Sequence, residues 1–468
     1  MSSVPCIVIG GTHSGVGKTS IATALMSAFV RRGLTVQAFK VGPDFIDPTF
    51  HCVATGRASH NLDGWMLSRD VNLSLYARAS AGADLAVVEG VMGLFDGHSS
   101  TDEVGSTAEM AKWLGAPVLL IADGSAMARS GAALVHGFES FDPELQVAGI
   151  IFNRVSGDKH FSYLCGSVQA RCHSTPIGYL PSEPAVKLPE RHLGLRLAGE
   201  VVSRELLDLL AQWVERTVDL DNILAIARTA KSVRAGFHST VQLPICRRAR
   251  IGVARDPAFQ FYYEENFRYL QEAGAELLEF SLVNDSHLPD GIDGLYLGGG
   301  YPEVHAAALA ANKSMQDNVR SFAERGGPIY AECGGFMYLT EAIVDSTGQE
   351  HAMCGIFPTR ARMQSRLAGL GYAEIEPLQD IAWLRPNEPM RGHEFRYSTI
   401  DEMPASIRRV YRAHGNHGTK VDGYLTRSVL GSYFHVHFGS CPAFAKRFVA
   451  AASASREPAA TIGSEFSI

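Results

Sequence analysis

The stretch Gly10-Gly11-Thr12-His13-Ser14-Gly15-Val16-Gly17-Lys18-Thr19-Ser20 constrains this chain more than any other. It follows a short apolar run, Cys6-Ile7-Val8-Ile9, and precedes Ile21, Leu25, Ala28 and Phe29, which share one face at helical spacing. That order reads as strand, glycine-rich turn and helix. Such a turn gathers backbone N–H groups at a helix N-terminus, where an oligophosphate gains charge-assisted hydrogen bonds and a favourable dipole. Thr12, Gly15, Val16, Gly17, Lys18, Thr19 and Ser20 are therefore expected to contact a nucleotide, with Lys18 on the outer phosphates and the Thr19 hydroxyl on Mg²⁺. Thr12 stands where the pattern G-x-x-x-x-G-K-[ST] has its first glycine. The competing reading is a plain tight turn.

A chain of 468 residues exceeds a typical single core, so more than one domain is expected. A net charge of −7 leaves no broad basic surface, which argues against a nucleic-acid partner. No apolar run approaches the ~20 residues that span a bilayer, and the N-terminus has no secretory pattern. Eight cysteines without a C-x-x-C pair fit a reduced, cytoplasmic setting and offer no transition-metal cluster. Residues 1–196 read as one domain and 197–246 as a helical linker with Leu206, Leu209, Leu210 and Trp213 on one face. Residues 247–448 read as a second domain, and 449–468 as a fraying tail.

In the first domain, Thr35–Val41 reads as a strand that delivers Asp44 and Asp47 to its carboxyl end, the edge where open α/β sheets bind ligands. Both carboxylates beside a triphosphate suit Mg²⁺; the alternative is a turn in which Asp caps the next helix. Asp84–Val91 is apolar through its centre and ends near Glu89, a position for a second Mg²⁺ ligand or a water-positioning base. Metal ligands are thus expected at Thr19, Asp44 and Glu89. Two further apolar runs, Pro117–Asp123 and Val147–Asn153, complete a doubly wound sheet. Asn153 either reads the nucleotide base or caps a helix.

Gly11–Thr19, Lys40–Pro48 and Val88–Gly97 resemble the dethiobiotin-synthetase-type ATPase domain of the cobyrinate a,c-diamide synthases, and Leu188–Leu195 resembles the stretch that closes it. Dethiobiotin synthetase itself is much shorter than this chain.

The second half opens with an apolar strand, Ala249–Ala254. Gly298-Gly299-Gly300 follows another strand, and consecutive glycines there can turn N–H groups of Gly299 and Gly300 toward a reacting centre as an oxyanion hole. Pro328–Phe336 then reads as strand, cysteine, glycines and helix, a cysteine version of a nucleophile elbow. Cys333 would sit at a helix N-terminus, which favours its thiolate. His435 and His437, two apart, share one face if they lie on a strand, so one can serve Cys333 as base while the other orients it.

Together these motifs resemble the triad glutamine amidotransferases of the cobyrinic and cobyric acid amidating type. By that resemblance Cys333 is the nucleophile and His435 the base, while a histidine, His437, stands where the triad acid would be. Arg391-Gly392-His393-Glu394-Phe395 also resembles the a,c-diamide synthase pattern, without an evident chemical role. The resemblance implies two doubly wound, mainly parallel α/β domains and a ligase using ATP, Mg²⁺ and L-glutamine. Ammonia freed at Cys333 would amidate the a and c carboxylates of cobyrinate or hydrogenobyrinate, activated as acyl phosphates near Asp44, Asp47 and Glu89, with a homodimer as a candidate assembly. The alternatives are the same chemistry on a nickel sirohydrochlorin, or a P-loop ATPase switch carrying an inactive amidotransferase-like docking domain.

Overall fold

The computed structural model describes residues 4–186, 188, 202–231, 248–415 and 418–455. The chain folds as two compact units, Met1–Ser239 and Thr240–Ile468.

In the first unit the apolar runs become β1 (Cys6–Gly11), β2 (Val36–Val41), β3 (His60–Leu62), β4 (Leu85–Glu89), β5 (Val118–Asp123), β6 (Val147–Asn153) and β7 (Thr175–Leu180). They form one sheet in the order β3-β2-β4-β1-β5-β6-β7, every pair parallel. All residues of β1, β2 and β4 are buried, as expected of strands covered by helices on both faces. The strand order reverses at β1, between β4 and β5, and the carboxyl edge there is the usual ligand position. Register then places the chemistry: Glu89 pairs with Ile9 on one side and Lys40 on the other. The glycine turn, Lys40 and Glu89 are thus brought to one row of the sheet edge.

Helix α1 (Lys18–Arg31) sends Ile21, Leu25, Ala28 and Phe29 into the core. Two helices from the expected linker, Arg204–Glu215 and Leu220–Ala227, bury Leu210, Ala211, Trp213, Val214, Ile223 and Ala227 in that same core. The buried stripe is narrower than the leucine spacing suggests, and Leu209 is 44% exposed. Residues 232–247, and most of the closing stretch Leu188–Leu195, lie outside the described residues.

The second unit holds a ten-stranded sheet. Its first five strands in spatial order, Ala275–Phe280, Ala249–Ala254, Gly294–Leu297, Ile329–Glu332 and Val429–Ser432, are parallel. The sheet then continues antiparallel through Gly418–Thr426, Arg408–Gly415, Gly369–Pro377 and Met390–Arg396 to the short strand His435–Val436. This extension carries long alternating strands that the sequence reading did not separate. The expected tail begins inside a helix, Pro442–Ala454, whose Phe444, Phe448, Val449 and Ala452 pack with Ile251 and Tyr330. Apolar spacing therefore extends order past residue 449; residues 456–468 lie outside the described part. Among the described residues no helix is long and apolar enough to cross a membrane.

Candidate active sites

Positive φ values at Gly15 (80°) and Gly17 (104°) let the first unit's glycine turn wrap ahead of α1. The left-handed φ of Gly17 favours glycine there, and an ideal Cβ would also crowd Asn153 Nδ2 at 2.5 Å. Asn153 donates to the Val16 carbonyl at 2.8 Å, and Arg154 donates to the Gly15 carbonyl at 2.8 Å while pairing with Asp123 at 2.6 Å. The end of β6 thus braces the turn from the side. Lys18 donates to the carbonyls of His13 and Met92, and Thr12 Oγ1 contacts His13 Nδ1 at 2.9 Å. Ser20 lies in the first turn of α1.

Behind the turn lies a buried charged cluster. Lys40 Nζ meets Asp47 Oδ2 at 2.7 Å and Glu89 Oε1 at 2.9 Å, with all three side chains at most 3% exposed. Glu89 Oε1 also accepts from the Thr19 hydroxyl at 2.8 Å, and its Oε2 lies 2.6 Å from His51 Nε2. Ser59 Oγ fixes the other ring nitrogen of His51 at 3.0 Å. Burial alone would raise the Glu89 pKa, but the Lys40 charge and the His51 contact outweigh it and hold it below the usual glutamate value. Burial alone would lower that of Lys40; Asp47, Glu89 and Asp44 reverse this and push it up. Asp44 Oδ1 accepts from the amides of Ile46 (2.7 Å) and Asp47 (3.3 Å), which caps α2 (Asp47–Thr55).

The converging oxygens of Thr19 and Glu89 are hard donors of the kind Mg²⁺ takes beside phosphate oxygens, so this pair fits such an ion. Among the described residues no group of three or more His, Cys, Asp or Glu side chains is arranged to hold a metal by itself.

In the second unit, Cys333 ends the strand Ile329–Glu332 with φ 46° and ψ −103°, a conformation costing a non-glycine residue on the order of 1–3 kcal/mol. The elbow is held by Cys333 N–H to the Ser432 carbonyl (2.8 Å) and Gly335 N–H to the Gly298 carbonyl (2.8 Å). Gly335 is obligatory, since a Cβ there would sit 2.3 Å from the Leu297 carbonyl oxygen. A Cβ on Gly299 would lie 2.3 Å from His435 Cε1 and 3.4 Å from Cys333 Cβ. One on Gly334 would lie 3.1 Å from the Gly300 nitrogen. The Gly299-Gly300 backbone therefore lies against the imidazole and beside Cys333, and it pairs antiparallel with Phe259–Phe261.

Burial would lower the pKa of His435, but its contacts with Cys333 and Glu332 outweigh this and push it up to about 9. The strand predicted to carry both histidines is shorter than expected. It covers His435–Val436 only, and His437 instead caps the following turn, its Nδ1 accepting the Gly439 amide at 3.0 Å. The His437 ring packs on Tyr263 at 4.7 Å, whereas that of His435 stacks on His393 at 5.1 Å. Burial lowers the His437 pKa to about 4, leaving a neutral ring. The carboxylate beside His435 is Glu332, whose Oε2 lies 3.7 Å from Nδ1.

Of the residues singled out from sequence, the structure brings Lys18, Thr19, Asp44, Asp47 and Glu89 to one sheet edge and Cys333 and His435 to another. Beside them lie Lys40, His51 and Glu332, which the sequence did not single out. Lys40 and Glu332 stood inside quoted motifs, a charged residue at the end of an apolar strand in each, and that was the available signal; His51 carried none, being one histidine on an apolar helix.

A nucleotide-binding turn on a parallel sheet and a cysteine elbow facing histidine and a glycine loop define a two-part enzyme of the glutamine-amidotransferase class. Residues 7–195 match the CobQ/CobB/MinD/ParA nucleotide binding domain, and residues 250–443 the CobB/CobQ-like glutamine amidotransferase domain. The chain is 44% identical over 452 residues to the cobyrinate a,c-diamide synthase of Syntrophotalea carbinolica, covering 96% of this chain and 98% of that protein. It is 42% identical over 450 residues to that of Leptospira interrogans (95% and 98%) and 40% over 455 residues to that of Priestia megaterium (96% and 98%). The chain belongs to the cobyrinate a,c-diamide synthase family.

Proposed function

We propose that this chain amidates the a and c carboxylates of cobyrinate or its cobalt-free analogue, consuming ATP and glutamine. The observation that carries the reading is the pairing, on one chain, of the Lys40–Asp47–Glu89 cluster behind a phosphate-binding turn with the Cys333–His435 elbow.

In the second unit, Cys333 Sγ attacks the side-chain amide carbon of glutamine, forming a C–S bond while the Gly299 and Gly300 amides receive the oxyanion. His435 delivers the thiol proton to the departing nitrogen, the C–N bond breaks and ammonia leaves. Water then cleaves the thioester to glutamate and returns the thiol.

In the first unit, a substrate carboxylate oxygen attacks the γ-phosphorus of ATP, and ADP departs. Ammonia next attacks the acyl carbon and phosphate leaves as the amide forms. A carboxylate does not react with ammonia directly, and the phosphoryl group supplies the leaving group. Lys18 and the turn amides bind the phosphates. Thr19 and Glu89 would hold Mg²⁺, which when bound neutralises charge on the outer phosphates. Asp44 and Asp47 flank the acceptor carboxylate, with Lys40 holding Asp47 and Glu89 in place.

The test is mass spectrometry of products after incubation with Mg·ATP, glutamine and, separately, cobyrinate, hydrogenobyrinate and nickel sirohydrochlorin. Two hydroxyl-to-amide replacements on a corrin support the reading. ATP hydrolysis with no substrate modified would replace it with a nucleotide-driven switch.

A further inference from the structure

The motif Arg391–Phe395 and the missing triad acid meet at one point, the imidazole of His435. Gly392 pairs with Val436 and His393 with His435 across antiparallel strands. A Cβ on Gly392 would lie 2.1 Å from the His435 carbonyl oxygen, so glycine is what lets the two strands close. The His393 ring then stacks on His435 at 5.1 Å and 21°, and the Tyr263 hydroxyl contacts its Nδ1 at 2.8 Å. Burial, with the neighbouring His435, holds the His393 pKa well below its usual value, so the ring behind the base is neutral. One face of His435 is therefore a fixed wall, and Cys333 and Gly299 lie beside the ring. The remaining nitrogen, Nδ1, faces Glu332.

Glu332 is 1% exposed and surrounded by donors. Its Oε1 accepts from the Tyr330 hydroxyl (2.7 Å) and the Val436 amide (3.0 Å), and its Oε2 from the Tyr296 hydroxyl (3.0 Å). Burial and the glutamate charge keep both tyrosines protonated, with pKa values well above the usual one, and Tyr411 nearby is held in the same way. The Val436 contact ties the carboxylate to the residue next to the base, so Glu332 and His435 keep a fixed relation. His437 is engaged elsewhere, its Nδ1 accepting from Gly439 and its ring packed on Tyr263 at 4.7 Å.

We propose that Glu332, the residue immediately before the nucleophile, is the positioning carboxylate of the glutaminase site, orienting His435 in place of an acid two residues after the histidine. The proposal rests on the reading of Cys333 and His435 as nucleophile and base. Glu332 fixes the ring so that Nε2 faces the thiol and stabilises the imidazolium that forms when the thiol proton is taken. It does not itself touch glutamine.

The test compares the full-length wild type with Glu332→Gln, Glu332→Asp, Tyr330→Phe and Cys333→Ala. Synthesis is assayed with glutamine and with ammonium salt as nitrogen source, across pH. Glu332→Gln should lower kcat with glutamine about 10²-fold, leave KM for glutamine within about twofold, and move the alkaline limb of the glutamine profile to lower pH. The ammonia-dependent rate should be unchanged. Glu332→Asp should recover part of the loss, and Tyr330→Phe should shift the profile in the same direction by a smaller amount, which decides the question if Glu332→Gln does not fold. Wild-type kcat and profile in Glu332→Gln, or in Tyr330→Phe in that case, with Cys333→Ala inactive on glutamine, overturn the proposal alone. Glutamine use by Cys333→Ala overturns the underlying reading as well.

Discussion

The two sites solve one problem, holding charge in a buried sheet edge, by different means. Both lie where parallel strands end in a glycine turn that starts a helix. In the first unit the charges are paired before any ligand arrives: Lys40 bridges Asp47 and Glu89, and His51 and Thr19 contact Glu89 as well. In the second unit one carboxylate, held by three neutral donors, lies 3.7 Å from one imidazole, and the backbone is strained at the nucleophile. The dense cluster suits a site that must receive a polyanion without collapsing. The second suits proton transfer, because a fixed carboxylate beside the imidazole favours the imidazolium that proton transfer creates.

Five experiments sharpen or break that contrast. The largest effect is expected from Cys333→Ala, which should cut glutamine-dependent synthesis by at least about 10⁴-fold while the ammonia-dependent rate persists; steady-state assays with each nitrogen source check it. Lys40→Met should next destabilise the first unit by about 3–5 kcal/mol, since it leaves Asp47 and Glu89 buried without their cation. Calorimetry should show the loss in one transition, and an unchanged melting curve would mean that the cluster is not tightly paired.

Gly299→Ala follows, with a loss of about 10²-fold in glutamine use, because the new Cβ falls 2.3 Å from His435 Cε1. The kcat with glutamine should fall and that with ammonia should not. The pH dependence of stability should also separate the units. The Glu89 pKa is depressed on folding, so its contribution is present above the ordinary glutamate value of 4.5 and is lost as pH falls through the lower folded value. That of His435 is raised from 6.5 to about 9, so its contribution is complete below 6.5 and is lost as pH rises through about 9. Melting followed across pH should therefore weaken the first unit in acid and the second in alkali. Smallest of all is His437→Asn, where the new side chain can still cap Gly439; it should cost less than about 1 kcal/mol and leave the glutamine rate unchanged.

Much of this was legible in the chain because each motif joins a strand to a helix through glycine, and such junctions depend on local sequence alone. Gly15 and Gly17 need positive φ, Gly335 needs close approach to Leu297, and both requirements leave their mark on composition. What stayed hidden depends on register between distant strands. Lys40 meets Glu89 only because β2 and β4 pair in one alignment, and Glu332 meets His435 only because Val436 returns to it. The role of Arg391–Phe395 was hidden for the same reason, as Gly392 and His393 act on a strand found more than forty residues later. His437, expected to orient His435, instead caps Gly439 and packs on Tyr263, contacts that no local pattern announces.

The most direct test of the account is to follow nitrogen from glutamine to product. Cobyrinate, Mg·ATP and glutamine labelled with heavy nitrogen in its side-chain amide are incubated with the enzyme in excess unlabelled ammonium, at a pH where ammonia is mostly protonated. The account predicts a product carrying heavy nitrogen in both new amides, and unlabelled product from Cys333→Ala under the same conditions. Labelled product from Cys333→Ala, or amides that draw only on the ammonium pool in the wild type, would contradict it.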